Sequence, residues 1–168
     1  MNLVVFSGPP SSGKTSVILK TIDVLKKQGI AVGAVKFDCL YTDDDLLYEK
    51  AGIPVKKGLS GALCPDHFFV SNIEEVVQWG RGLGLSMLIT ESAGLCNRCS
   101  PYIKDIKGIC VIDNLSGINT PKKIGPMLKS ADIVIITKGD IVSQAEREVF
   151  ASRVNSVNPT AIIMHING

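Results

Sequence analysis

The sequence has little charge to spare in either direction. Its 18 Lys and Arg stand against 16 Asp and Glu, a net charge of +2. That balance argues against a dedicated nucleic-acid binder, which carries a basic excess or stripe. Its longest apolar runs are strand-sized, so no membrane insertion is expected. A secretory signal needs a basic start and a longer apolar core, and the N-terminus has neither. The five Cys are odd in number and cannot all pair within one chain, so they are expected as thiols in a reducing, cytoplasmic compartment. No repeat or low-complexity stretch occurs. Hydrophobic residues at 45% and charged residues at 20% exclude disorder. A chain of 168 residues suits one α/β domain. It buries about 70% of its unfolded surface and needs no disulfide or metal merely to fold.

What is present is an alternation of two periodicities. Short apolar runs at 2–6, 30–36, 87–90, 109–113, 133–137 and 161–165 read as strands, with a further short one at 53–56. Helical spacing runs over 14–28, closed by Gly29, and over 43–50, about 74–82 with Asn72 as its cap, 121–129 and 143–156. Residues 60–65 read as irregular. Alternation of this kind predicts a mostly parallel sheet covered on both faces. Ligands then bind beyond the C-terminal ends of the strands. The chain stops just after a strand, with no helix to cover that edge, which leaves room for it to be a fragment of a longer one.

After the first strand, Gly8-Pro9-Pro10-Ser11-Ser12-Gly13-Lys14-Thr15 fits the phosphate-loop pattern G-x-x-x-x-G-K-[ST] and opens a helix. The predicted fold is therefore a three-layer P-loop NTPase. In such a loop backbone N–H groups converge on phosphate oxygens, and the helix N-terminus adds positive potential. Gly13 permits close approach, Lys14 reaches the β- and γ-phosphates, Thr15 coordinates Mg²⁺, and Ser16 adds an α-phosphate contact. Thr137-Lys138-Gly139-Asp140, after another strand, is similar to the Asn/Thr-Lys-x-Asp reader of guanine. The Asp140 carboxylate can accept from both N1–H and the N2 amine, and the Lys138 stem can lie over the base. Expected ligands are therefore GTP or GDP with Mg²⁺.

Glu91-Ser92-Ala93-Gly94 follows a strand, so Glu91 can reach the Mg²⁺ shell directly or through water, and Gly94 lets backbone approach the γ-phosphate. Asp38 is a candidate either for ordering Mg²⁺ or for orienting the attacking water. Asp44 and Asp45 read as a solvated helix start favoured by the dipole. Cys110 reads as a small core residue, and Cys39 as either core or ligand. Cys64-Pro65-Asp66-His67 sets a thiol and an imidazole three residues apart, and Cys96-Asn97-Arg98-Cys99 sets two thiols at ligand spacing. The second pair alone is open to a redox reading. With Cys64 and His67, or with a second subunit, it completes a tetrahedral site for a transition metal.

These motifs together resemble the SIMIBI-class metallochaperone GTPases, the urease accessory G protein and the hydrogenase nickel-insertion GTPase, over nearly the whole chain. The glycine loop at 8–15 matches. The stretch from Asp38 through Tyr41-Thr42 to Asp44 is similar to their first switch. Cys64-Pro65-Asp66-His67 resembles the Cys-Pro-His of the urease branch, with Asp66 inserted. Glu91-Ser92-Ala93-Gly94 resembles Glu-Ser-Gly-Gly, and Cys99 resembles a ligating Cys of the hydrogenase branch. The run Lys123-Ile124-Gly125-Pro126, leading to Thr137–Asp140, is similar to the one before their Asn-Lys-x-Asp, with Thr137 in place of Asn. Cys96 is an added thiol.

The resemblance implies a GTPase domain over residues 1–168, slow without a partner, which binds Ni²⁺ or Zn²⁺. It implies a nucleotide-dependent homodimer and a client metalloenzyme or its accessory proteins. Thiol and imidazole ligands do not by themselves choose the metal. Two other readings share the glycine loop: a small-molecule kinase, and a nucleotide-sensing accessory domain resembling the molybdopterin-guanine dinucleotide proteins.

Overall fold

A computed structural model describes residues 1–167. Seven strands form one sheet in the order β3-β2-β4-β1-β5-β6-β7. They are β1 (Asn2–Ser7), β2 (Val32–Asp38), β3 (Val55–Leu59), β4 (Met87–Ser92), β5 (Lys107–Asp113), β6 (Ile133–Thr137) and β7 (Ile162–His165). Every pairing is parallel, so the sheet is wholly parallel, as both covered faces require.

The helices are α1 (Lys14–Lys27), α2 (Asp44–Lys50), α3 (Pro65–Ser71), α4 (Ile73–Gly82), α5 (Thr120–Lys123), α6 (Pro126–Lys129) and α7 (Gln144–Val157). Strand residues alternate between two cores. Phe6, Ile89, Val111 and Ile135 meet Val17, Ile18 and Ile22 of α1 and Tyr48 of α2. Their neighbours face the other way: Val5, Val35 and Leu88 pack on Phe69 of α3 and Val76 of α4, while Cys110, Ile112, Val134 and Ile136 pack on α5, α6 and α7. Cys110 is fully buried, a core residue. Local signals set the ends. Gly29, at φ 77, closes α1, and Ser143 with Glu146 forms a capping box for α7. Among the described residues no helix is long and apolar enough to cross a membrane.

Several boundaries differ from the sequence expectation. β2, β3 and β4 run on to Asp38, Leu59 and Ser92. The last residues of β2 and β4 are polar and drawn inward, because each has a hydrogen-bond partner at the site. The segment read as irregular leads into α3, with Pro65 in its first turn, where a missing N–H costs nothing. Asn72 stands at the N-cap of α4 as expected, but it also closes α3, and its side-chain amide donates to the Phe68 carbonyl at 2.7 Å instead of making a capping bond. The single helix expected over 121–129 is two short ones. Gly125 breaks it with φ 56 and ψ −127, a conformation that side chains resist. A Cβ there would lie 2.4 Å from the Asn97 carbonyl oxygen, so the break lets the 96–99 loop settle against it.

Candidate functional site

The loops after β1, β2, β3 and β4 leave the same edge of a parallel sheet, so the topology gathers their residues on one rim. The 8–15 loop is tightly built. Gly8 has φ 142, and a Cβ on it would sit 1.9 Å from the Val111 carbonyl oxygen. Gly13 is left-handed at φ 91 and starts α1. The Lys14 ammonium donates to the carbonyls of Gly8 at 3.0 Å and Pro9 at 2.9 Å. Burial lowers its pKa from 10.5 to about 8, partly offset by Glu91 and reinforced by Lys36.

Glu91, 2% exposed, is engaged on both oxygens. Oε1 accepts from the Thr15 hydroxyl at 2.8 Å and from the Lys36 ammonium at 2.8 Å, and Oε2 accepts from the Tyr48 hydroxyl at 2.6 Å. Lys36 also pairs with Asp44 at 2.6 Å. Burial pulls the Lys36 pKa down, but Glu91 and Asp44 outweigh it and the net shift is upward. Burial, then Glu91, pushes the Tyr48 hydroxyl far up, so it stays a donor. Gly13, Lys14, Thr15, Ser16, Asp38 and Glu91 line one cleft of about 440 Å³ with Pro10, Ser11, Lys36 and Asp44. Asp38 accepts from the Cys39 N–H at 2.8 Å. A groove of about 500 Å³, lined by Leu115, Ile118, Val149 and Phe150 among others, holds none of the sequence-predicted site residues.

The 137–140 turn is tied to the glycine loop. Thr137 donates to the Ser12 carbonyl at 2.8 Å and Lys138 to the Ser11 carbonyl at 2.9 Å. Lys138 takes the left-handed conformation, φ 57, and Asp140 follows in a 3-10 turn over Gly139–Ile141. The role of Thr137 here is to anchor the loop.

The thiols converge. Cys64, at the start of α3, and Cys96 and Cys99, after β4, hold their Sγ atoms within 4.8 Å of one another. All three are half-buried and unpaired as disulfides. The His67 Nδ1 lies 3.7 Å from the Cys99 Sγ, near the edge of about 3.5 Å for a sulfur and a nitrogen on one tetrahedral ion. Burial raises the Cys96 pKa, but the Arg98 N–H and the other two thiols outweigh it, and the net shift is downward. Hydrogen bonding with Cys96, then burial, pushes Cys99 up to about 12. Three thiols this close together, with an imidazole beside them, are a donor set for a soft or borderline metal ion.

A profile of the CobW/HypB/UreG nucleotide-binding domain matches residues 2–165. The chain belongs to the CobW/HypB/UreG family. It is 56% identical over 168 residues to an uncharacterized protein of Methanocaldococcus jannaschii, covering 100% of this chain and 72% of that one. It is 30% identical over 149 residues to the urease accessory protein UreG of Trichodesmium erythraeum, covering 80% and 68%. In fold it is similar to HypB from Helicobacter pylori, solved in complex with nickel, at TM-score 0.77 and 21% identity over 99% of this chain and 79% of that one. HypB from Archaeoglobus fulgidus gives TM-score 0.74 at 19% identity, with 99% and 81% covered.

On this CobW/HypB/UreG scaffold, sequence reasoning missed Lys36, Tyr48, Asp44, Asp66 and Ser92. Lys36 had a signal: a lysine inside a buried strand must be paired. Asp44 and Asp45 are not a solvated helix start. Asp44 pairs with Lys36, and Asp45, 7% exposed, pairs with Lys57 at 2.5 Å.

Proposed function

We propose that this chain is a Mg²⁺-dependent GTPase domain, spanning residues 1–168, whose nucleotide state governs the binding of a transition metal, Ni²⁺ or Zn²⁺, for delivery to a client metalloenzyme. One observation carries the reading. Gly94, at φ 73, is packed so closely on the glycine loop that a Cβ would lie 1.6 Å from the Gly8 carbonyl oxygen, and Cys96 follows two residues later. The segment that would meet the γ-phosphate thus runs directly into the thiol cluster.

In this reading backbone N–H groups from residues 8–13 with Lys14 and Ser16 hold the phosphates, and Gly94 closes over them. Thr15, Asp38 and Glu91 would hold Mg²⁺, directly or through water, and the ion would supply neutralisation of charge developing on the phosphoryl oxygens. Lys36 and Tyr48 orient the Glu91 carboxylate. Asp140 accepts from the guanine edge while Lys138 covers the ring. Cys64, Cys96, Cys99 and His67 hold the transition metal, which is cargo. The urease accessory protein and nickel-bound HypB among the relatives support nickel, and the thiol-rich donor set suits zinc equally. Leu40, Tyr41, Leu63 and Leu95 are exposed apolar residues on loops of the same rim, which supports a homodimer closing over the nucleotide. Turnover is slow until a client or accessory protein completes the site.

The test is equilibrium binding of labelled GTP and ATP, together with metal analysis and Zn²⁺ and Ni²⁺ titration of the purified protein with GDP and with a non-hydrolysable GTP analogue. GTP preference, stoichiometric metal and a nucleotide-dependent metal affinity are expected. ATP preference without metal would instead indicate a kinase and overturn the reading.

A further inference from the structure

Asp66 lies between Cys64 and His67, in the first turn of α3, yet it turns away from solvent and is 2% exposed. Its Oδ1 accepts from the Ser92 hydroxyl at 2.5 Å. Ser92 is the last residue of β4, is 3% exposed, and accepts in turn from the Gly94 N–H at 3.3 Å. Gly94 rests on the Gly8 carbonyl. A continuous path therefore runs from the glycine loop through Gly94 and Ser92 to Asp66, two residues after Cys64 and directly before His67, both in the proposed metal site.

We infer that Asp66 is a positioning residue, and that its buried hydrogen bond to Ser92 transmits movement of the 91–94 segment to the Cys64 thiol.

Two features separate this contact from passive packing. The first is its placement. Cys96 and Cys99 already move with the 91–94 segment through the chain itself, but Cys64 is on a different loop, 27 residues before Glu91. A switch that moved only the 96–99 loop would pull two thiols away from the third. The Asp66–Ser92 bond carries Cys64 along, or lets go of it. The second is its incompleteness. The other carboxylate oxygen, Oδ2, is buried without any hydrogen-bond partner. A structural carboxylate in the interior is normally satisfied on both oxygens, and an orphaned one costs desolvation free energy. A contact held by a single bond at that cost is weaker than a fully satisfied one, which suits an element that must let go as well as hold. The path also accounts for the residue inserted between Pro65 and His67: one extra position places a carboxylate on the inner side of the helical turn while Cys64 and His67 stay on the rim.

This inference rests on the function proposed above, and the experiment separates the two. Zn²⁺ affinity is measured with GDP and with a non-hydrolysable GTP analogue, for the parent, Asp66→Ala, Ser92→Ala, the double variant and Asp66→Asn. The parent is expected to show a ratio between the two states of about tenfold or more. Asp66→Ala and Ser92→Ala should each cut that ratio to below about threefold, and the double variant should go no further, because both remove one bond. Asp66→Asn, whose amide oxygen can still accept from Ser92, should keep most of the ratio. A structural role alone would lower Zn²⁺ affinity equally in both states and leave the ratio intact. Should Asp66→Ala fail to fold, Ser92→Ala decides by the same ratio. An undiminished ratio in Ser92→Ala and in any folded Asp66→Ala overturns the link and leaves the proposed function standing. A parent ratio of one overturns both.

Discussion

The Thr137 hydroxyl and the Ser12 carbonyl, 125 positions apart in the chain, meet in a buried hydrogen bond of 2.8 Å. With Lys138 on the Ser11 carbonyl, it makes the base-reading turn and the glycine loop one body. Thr137→Val keeps the shape and leaves the Ser12 carbonyl without that donor, at a cost of about 1–2 kcal/mol. GTP and ATP affinities should fall together, about tenfold, with their ratio unchanged. Asp140→Asn should change the ratio itself, toward xanthosine triphosphate, because the amide presents a donor where the carboxylate accepted. Competition binding with the three nucleotides distinguishes the effects. An Asp140→Asn protein with unaltered GTP affinity rules out the base-reading role.

Lys14 supplies a pH prediction. Its folded pKa is lowered to about 8 from 10.5, chiefly by burial. Between those two values the unfolded chain holds a proton that the folded one has released, so this group makes stability rise with pH there. Below about 8 both forms are charged, and the full penalty of burying the ammonium is present. Lys14→Met should therefore stabilise the nucleotide-free protein at pH 7 by on the order of 2 kcal/mol, seen as a higher melting temperature, and gain much less at pH 10. It should abolish triphosphate hydrolysis. Thermal melts at the two pH values check the sign.

Removing Lys36 has the opposite effect on stability. Lys36→Met leaves the Glu91 carboxylate buried with only the hydroxyls of Thr15 and Tyr48, and breaking a buried pair from one side costs about 3–5 kcal/mol. A large loss in urea midpoint is expected at neutral pH, partly recovered in Lys36→Met with Glu91→Gln, where the buried carboxylate is no longer stranded and only the half-exposed Asp44 loses its partner. Equal losses in the single and double variants would mean that the pair is not the source.

Gly94→Ala tests the contact with the glycine loop. A methyl 1.6 Å from the Gly8 oxygen cannot be accommodated without moving backbone, and φ 73 adds strain of about 1–3 kcal/mol. The protein should fold, with the 91–95 segment displaced and affinity for the GTP analogue lowered at least tenfold, while GDP binds nearly as before. Loss of GDP and triphosphate affinity in equal measure would contradict a γ-phosphate contact.

The alternation of apolar runs and helical spacing was enough to read the α/β class, the strand positions and the glycine loop. It fell short where strands enter the site. The ends of β2 and β4 carry Asp38, Glu91 and Ser92, polar residues that hydropathy treats as loop. They stay in the sheet because Glu91 pairs with Lys36 and Ser92 with Asp66, partners 55 and 26 positions away. Likewise the meeting of Cys64 with Cys96 and Cys99 was open as a possibility but not decided, since spacing cannot say which loops share a rim. The helix over 121–129 was misread because Gly125 counts as a weak helix residue in a local reading. Its backbone conformation answers to Asn97, which is distant in sequence.

That last contact sets a limit on travel. Asn97 lies between the two cysteines of the 96–99 loop, and its carbonyl occupies the space a side chain at position 125 would fill. Backbone is already against backbone there, so the loop cannot be pressed further toward Gly125. It can only lift away. Gly125 thus acts as a mechanical stop. Displacements of the loop in one sense are absorbed at the stop, and those in the other are free to part Cys96 and Cys99 from Cys64, so under the proposed function release of a metal would have a direction built into the chain.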